Sequence, residues 1–122
     1  MIDFQNGNVF KLKPLNTTNV GVEKLLIPNE KVISAYGALR DYIVFTNRRI
    51  IAVNVQGITG KKKEYTTLPY SKIQAFSVET AGAFDLDSEL ELWFSTLGKV
   101  KFEFKGNCNI KEISQTIAMF IF

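Results

Sequence analysis

The clearest hydrophobic pattern lies between Phe76 and Lys105. Leu90, Leu92 and Phe94 alternate with Glu89, Glu91 and Trp93, and Val100, Phe102 and Phe104 alternate with Lys99, Lys101, Glu103 and Lys105. A period of two sends successive side chains to opposite faces, so both segments read as strands with one buried and one wet face. Upstream, Lys31 to Ala38, Tyr42 to Thr46, Arg49 to Gln56, Lys63 to Leu68 and Ser71 to Thr80 read as five more strands. The β-branched density of Ile50, Ile51, Val53 and Val55 favours a strand over a helix there. Leu39-Arg40-Asp41, Asn47-Arg48, Gln56 to Gly60 and Leu97-Gly98 supply turns between them.

The period then changes. Asn109 followed by Glu112 has capping-box spacing, and Ile110, Ile113, Ile117 and Phe120 fall on one helical face. A helix with a single apolar stripe must lie against something, and the open end of a curved sheet is the obvious seat. The expected architecture is mainly β: a seven-stranded antiparallel barrel or sandwich capped by a C-terminal α-helix. Residues 1 to 15 show no clear period, and residues 1 to 28 read as a partly irregular N-terminal arm. Within it, Thr17 to Ile27 has room for a short helix, which Pro28-Asn29-Glu30 would end.

Composition narrows the chemistry. The chain has 122 residues, enough for one domain that buries about two-thirds of its unfolded surface. Its net charge of +3 comes from basic residues spread along the chain, and only Lys61-Lys62-Lys63 approaches the concentrated stripe that nucleic-acid binding requires. There is no histidine, which removes the commonest general base and metal ligand and rules out a Ser-His-Asp or Cys-His site. The single cysteine, Cys108, allows no internal disulfide; beside the helix cap it reads as a quiet thiol. With neither a signal-like start nor a run of 18 apolar residues, the expectation is a soluble cytoplasmic protein.

Several segments carry a resemblance. Arg40-Asp-Tyr-Ile-Val-Phe-Thr-Asn-Arg-Arg-Ile-Ile51, Gln56-Gly-Ile-Thr-Gly-Lys-Lys62, Pro69-Tyr-Ser-Lys-Ile73, Val78-Glu-Thr-Ala-Gly82 and Asp85-Leu-Asp-Ser-Glu-Leu-Glu-Leu-Trp93 resemble, in order and spacing, the signatures of the bacterial pleckstrin-homology-like (PH-like) domain family. On that likeness residues 29–122 are the PH-like domain. The sequence departs from the pattern at Asn54, where an aspartate is expected, and at Ala83, where histidine is common. The resemblance implies a homo-oligomeric ring of single domains, with a pentamer as the expected assembly. It also implies a shared hydrophilic surface for protein partners, and no enzymatic activity.

The candidate residues follow. If the loops of adjacent subunits converge, the working surface would include Gln56, Thr59, Lys61, Glu79, Asp85, Asp87 and Glu89. Arg48, Trp93, Phe120 and Phe122 are the candidates for contact between subunits, because an exposed tryptophan and an apolar chain end often mark contacts. The run Asp85-x-Asp87-x-Glu89 lacks the glycine and terminal glutamate of an EF-hand, and Gly82 stands where a chitinase-like carboxylate run would begin. A solvated turn whose carboxylates bond nearby backbone N–H groups is the plainer reading, and no metal or cofactor is expected. Gly57-x-x-Gly60-Lys61 lacks the Walker spacing. The alternative function is a peripheral membrane adaptor that meets anionic lipid head groups through Lys61-Lys62-Lys63.

Overall fold

The computed structural model describes residues 2–4 and 11–122. In chain order its strands are β1 (Lys13–Pro14), β2 (Val32–Gly37), β3 (Tyr42–Thr46), β4 (Arg49–Gln56), β5 (Lys62–Pro69), β6 (Ala75–Glu79), β7 (Ser88–Phe94) and β8 (Gly98–Phe104). The helix α1 (Ile110–Ile121) follows. β1 to β5 form one antiparallel sheet in sequential order, and β6 to β8 form a second. The two pack face to face as a sandwich around Ile43, Phe45, Ile50, Leu90, Leu92 and Phe102. The barrel form of the expectation is not reached, because the outer edges of β5 and β6 are unpaired among the described residues.

The opposite flank is closed by Leu12. Its N–H donates to the Glu103 carbonyl and its carbonyl accepts from the Lys105 N–H, both at 2.9 Å, while Lys13 and Pro14 pair with Gly37 and Tyr36. Three residues thus cross from the second sheet to the first, and the Leu12 side chain is fully buried between them. Phe4, also buried, meets Phe102 edge-on. Ile2, Phe4 and Leu12 of the expected arm are thus packed into the core, while residues 5–10 of it lie outside the described residues.

The two sheets differ in a way their sequences explain. β7 and β8 alternate between buried and half-exposed positions, as a sheet with one wet face must. In β3 and β4, by contrast, Ile43, Val44 and Phe45, and Ile50 through Val53, are all buried. Their outward side chains, Val44, Ile51 and Val53, form a second apolar cluster with Val22 and Ala35. Part of residues 15–30 lies over that face, so the first sheet is covered on both sides.

This covering segment is not the helix expected over Thr17 to Ile27. It contains only a 3-10 turn at Glu23–Leu25. Asn19 and Gly21 adopt left-handed backbone (φ 62° and 86°), and the Glu23 carboxylate accepts from the Val20 and Gly21 N–H groups, which stops a helix from propagating upstream. The strand expected from Ser71 also starts late, at Ala75. Tyr70–Lys72 forms a 3-10 corner that carries the chain from one sheet to the other, pinned by the Tyr70 hydroxyl donating to the Thr46 carbonyl at 2.7 Å.

The helix forms where its pattern predicts. The Asn109 side-chain oxygen accepts from the Lys111 and Glu112 N–H groups, satisfying two otherwise unpaired donors. Ile110, Ile113 and Ile117 are buried on the core, each contributing about 1.5–3 kcal/mol. Phe120 stacks on Tyr70 at 5.9 Å, which seats the last turn on the corner.

The most demanding interaction is a buried charge. The Glu30 carboxylate accepts two bonds from the Arg49 guanidinium (2.9 and 3.0 Å), one from the Thr46 hydroxyl (2.7 Å) and one from the Ile27 N–H (3.1 Å). Arg49 also donates to Thr67 and to the Leu25 carbonyl. Burial alone would push the Glu30 carboxyl up, but the bonds from Arg49, Thr46 and Ile27, with the Arg49 charge, outweigh it and hold the group below its ordinary value. A depressed carboxyl stabilises the fold above its unfolded value of 4.5 and loses that contribution as pH falls through the folded value. Removing one partner of a buried pair strands the other. Arg49→Ala should cost about 3 kcal/mol, at the low end of the range for buried pairs because Arg49 keeps some solvent contact. Urea titrations from neutral pH to below pH 4 should show a shallower acid loss of stability in Glu30→Gln than in the wild type; parallel curves would contradict this role.

Candidate functional site

At one end of the sandwich β2 turns into β3 through residues 38–41, and β4 turns into β5 through residues 57–61. The first loop is short, and Asp41 organises it: one carboxylate oxygen accepts from the Val55 N–H at 3.0 Å, the other from the Asn54 side-chain amide at 3.2 Å. Arg40 donates to the Gly57 carbonyl and so ties the two loops together. Gly57 and Gly60 have φ of 75° and 68°, which a tight reversal in the second loop requires.

The second sheet delivers its own loops to the same end. Leu12 joins Phe104 to the strand that pairs with Gly37, so the start of β7 and the end of β8 stand level with residues 38–41. Residues 80–87 connect β6 to β7. There Gly82 N–H donates to the Asp85 carbonyl at 2.7 Å, and Asp87 N–H donates to the Asp85 side chain at 3.0 Å. Asp85 therefore caps its own turn, which is the behaviour expected of a solvated turn. Leu86 rests against Gly106, where an added Cβ would meet its backbone oxygen at 3.1 Å; that glycine lets the acidic turn sit close to the β8–α1 connection.

Between the 38–41 loop, the end of β4 and the Leu12 crossing opens a cleft of about 690 Å³. Lys11, Lys13, Arg40 and Lys105 line it together with Ala38, Leu39 and Val55. Asp41 also borders it, but its oxygens are occupied as above. Among the described residues none of the three lysines forms an ion pair. Around the same end Leu39, Ile58 and Phe84 are fully exposed and Leu86 largely so.

The sequence-derived residues divide among these features. Gln56, Thr59 and Lys61 lie on and beyond the end of β4, with Gln56 donating to Asn54. Asp85 and Asp87 lie in the acidic turn. Glu79 and Glu89 stand opposite each other across β6 and β7. Glu89 is engaged by Lys101 at 3.2 Å, and that hydrogen bond, reinforced by the surrounding carboxylates, raises the Lys101 ammonium above its ordinary value. The run Lys61-Lys62-Lys63 is divided, because Lys62 and Lys63 point to opposite faces of β5 and Lys63 reaches toward Tyr42 and Gly21.

Of the contact candidates, Arg48 is exposed, Trp93 half-exposed and Phe122 fully exposed, whereas Phe120 is taken up by its own Tyr70. The cationic cleft was missed because its four cations come from three distant segments. A weak signal existed in the alternation of Lys11 and Lys13 around Leu12.

The sequence profile described as bacterial PH domain matches residues 3–121, nearly the whole chain. The chain belongs to the bacterial PH domain family. Among similar proteins is the uncharacterized protein YjqA of Bacillus subtilis, 45% identical over 119 residues that cover 94% of this chain and 95% of that one. Another is YozO of the same organism, 33% identical over 96 residues, or 79% and 82% of the two chains. A solved structure of a pleckstrin-homology-domain protein from Shewanella loihica superposes with a TM-score of 0.80 at 38% identity, covering 92% of this chain and 98% of that one. A second, from Shewanella amazonensis, gives 0.63 at 41% identity, with 83% and 82% covered. Within this PH domain, Asn54 stands where the motifs suggest aspartate, and its neighbour explains why the amide fits: Asp41 already supplies the carboxylate. Asn54→Asp would set two carboxylates about one hydrogen bond apart. It should cost on the order of 1 kcal/mol at neutral pH and less near pH 4, read from denaturant midpoints.

Proposed function

We propose that this PH domain is a non-enzymatic interaction module that assembles head to tail into a cyclic homo-oligomer, with about five subunits, and presents a composite hydrophilic surface to protein partners. The observation that carries the reading is the pair of unpaired edges. β5 and β6 follow each other in the chain, and each leaves a row of backbone N–H and C=O groups without a strand beyond it among the described residues. Such edges are templates for another chain, and unlike edges that meet head to tail close into a ring when the rotation permits. Arg48, Trp93 and Phe122 are the side chains proposed to join that contact, with Phe120 supporting it from its seat on Tyr70.

The surface proposed for partners is the loop end of the sandwich, with Gln56, Thr59 and Lys61 on one loop and Asp85 and Asp87 on another, flanked by Glu79 and Glu89. A non-catalytic role agrees with a chain that has no histidine and whose Asp85 is spent on capping its own turn. Membrane binding through Lys61 to Lys63 has less support, since the strand sends Lys62 and Lys63 to opposite faces.

Light scattering after size exclusion, across a wide concentration range, tests the assembly. A stable mass near five subunits is the expected result, and a concentration-independent monomer would sink the ring.

A further inference from the structure

We infer that the cationic cleft receives the acidic turn of a second copy of this chain, so that residues 84–87 of one subunit dock between Lys11, Lys13, Arg40 and Lys105 of the next. This rests on the head-to-tail assembly proposed above, names a contact within it, and assigns Asp85 and Asp87 to that contact rather than to outside partners.

The two surfaces fit in charge and in polarity. The cleft sets four cations beside apolar Ala38, Leu39 and Val55, and its one carboxylate, Asp41, is turned to Val55 and Asn54. The turn Phe84-Asp85-Leu86-Asp87 alternates apolar and acidic side chains, with Phe84 and Leu86 exposed to solvent. Neither surface is neutralised at home: among the described residues Asp85, Asp87 and the three cleft lysines form no ion pairs. A free inorganic anion would satisfy the cations and leave Leu39 and Phe84 unexplained. A segment that is both acidic and apolar answers both.

The turn is also ready to dock. Its two internal hydrogen bonds and the close seat of Leu86 on Gly106 fix its shape before contact, which lowers the ordering cost of binding. Cleft and turn are different surfaces of one end. A subunit that gives its turn to one neighbour keeps its cleft for another, which makes the contact heterologous and lets it propagate around a ring.

Charge reversal tests the pairing in the full chain. Lys11→Glu with Lys105→Glu reverses the cleft, and Asp85→Lys with Asp87→Lys reverses the turn. Each pair should weaken self-association by at least about tenfold in sedimentation equilibrium, in line with close charge pairs across interfaces. Wild-type association should also weaken with added salt. The chain carrying all four changes should recover association, which a merely unfolded or loosened variant would not; near-UV circular dichroism confirms that each variant stays folded.

An oligomer of wild-type mass in both reversed variants would overturn the contact while leaving the ring intact, whereas a monomeric wild type would remove the ring itself. If the reversed cleft changed only sedimentation with phosphatidylserine vesicles, the cleft would belong to a lipid surface and the inference would fall. A mass of two subunits, with each turn in the other's cleft, would overturn the propagating form.

Discussion

A carboxylate placed where water cannot reach it constrains this fold more than any apolar contact. Glu30 must be met by donors on every side, and it is: Arg49 from β4, Thr46 from the end of β3 and a backbone N–H from its own loop. Meeting that requirement fixes three things together. It fastens the 15–30 segment over the outer face of the first sheet, it locks the β3–β4 turn, and through Thr46 it positions the carbonyl that holds Tyr70 at the corner between the sheets. Phe120 then stacks on Tyr70, so the closing helix inherits its place from the same pair. Replacing the pair by apolar residues of equal volume could match it in energy, but only the directed bonds tell the chain which loop belongs where.

That anchoring sits at one end of the sandwich, and the consequences appear at the other. β4 begins at Arg49 in the locked turn and ends at Gln56, where the strands open into loops. These are held by lighter devices: Asp41 on Val55, Arg40 on Gly57, Asp85 on its own turn. A scaffold fixed at its far end can carry short, well-shaped loops whose side chains are spent on the surface rather than on the core. This is the usual division between a rigid framework and loops that carry recognition.

How much of this could be read in the chain depends on whether the deciding interactions were local. β7 and β8 were legible because one sheet face is wet and the alternation survives intact. The helix was legible because Asn109 and the isoleucine spacing are local signals. β4 was found by β-branched density, yet the unbroken apolar runs of β3 and β4 held more: they mark a sheet covered on both faces, and hence a cover. The 17–27 segment misled because a stretch ended by Pro28-Asn29-Glu30 has room for a helix, and only Asn19, Gly21 and Glu23 reveal that the backbone is turned instead. Glu30 looked like the end of a helix, while its partner lies 19 residues on. The loop end was half legible: the acidic turn is contiguous in sequence, but the cleft that balances it is assembled from residues 11, 13, 40 and 105.

The distribution of charge argues that this imbalance has a purpose. On the outer face of the second sheet, opposite charges answer each other by diagonal pairs, Glu89 with Lys101 and Glu91 with Lys99. Glu79 and Glu103 stand in register on either side of Glu89, so that face keeps an excess of carboxylate. At the loop end the same kinds of side chain are kept apart, cations in the cleft and carboxylates on the turn, and neither group is answered within its own subunit among the described residues. Separated charges cost self-energy and gain selectivity, because a wrong partner meets like charge or leaves the cleft unfilled. Cations gathered in one cleft and carboxylates on one turn make this end the part of the surface where a wrongly charged neighbour costs most.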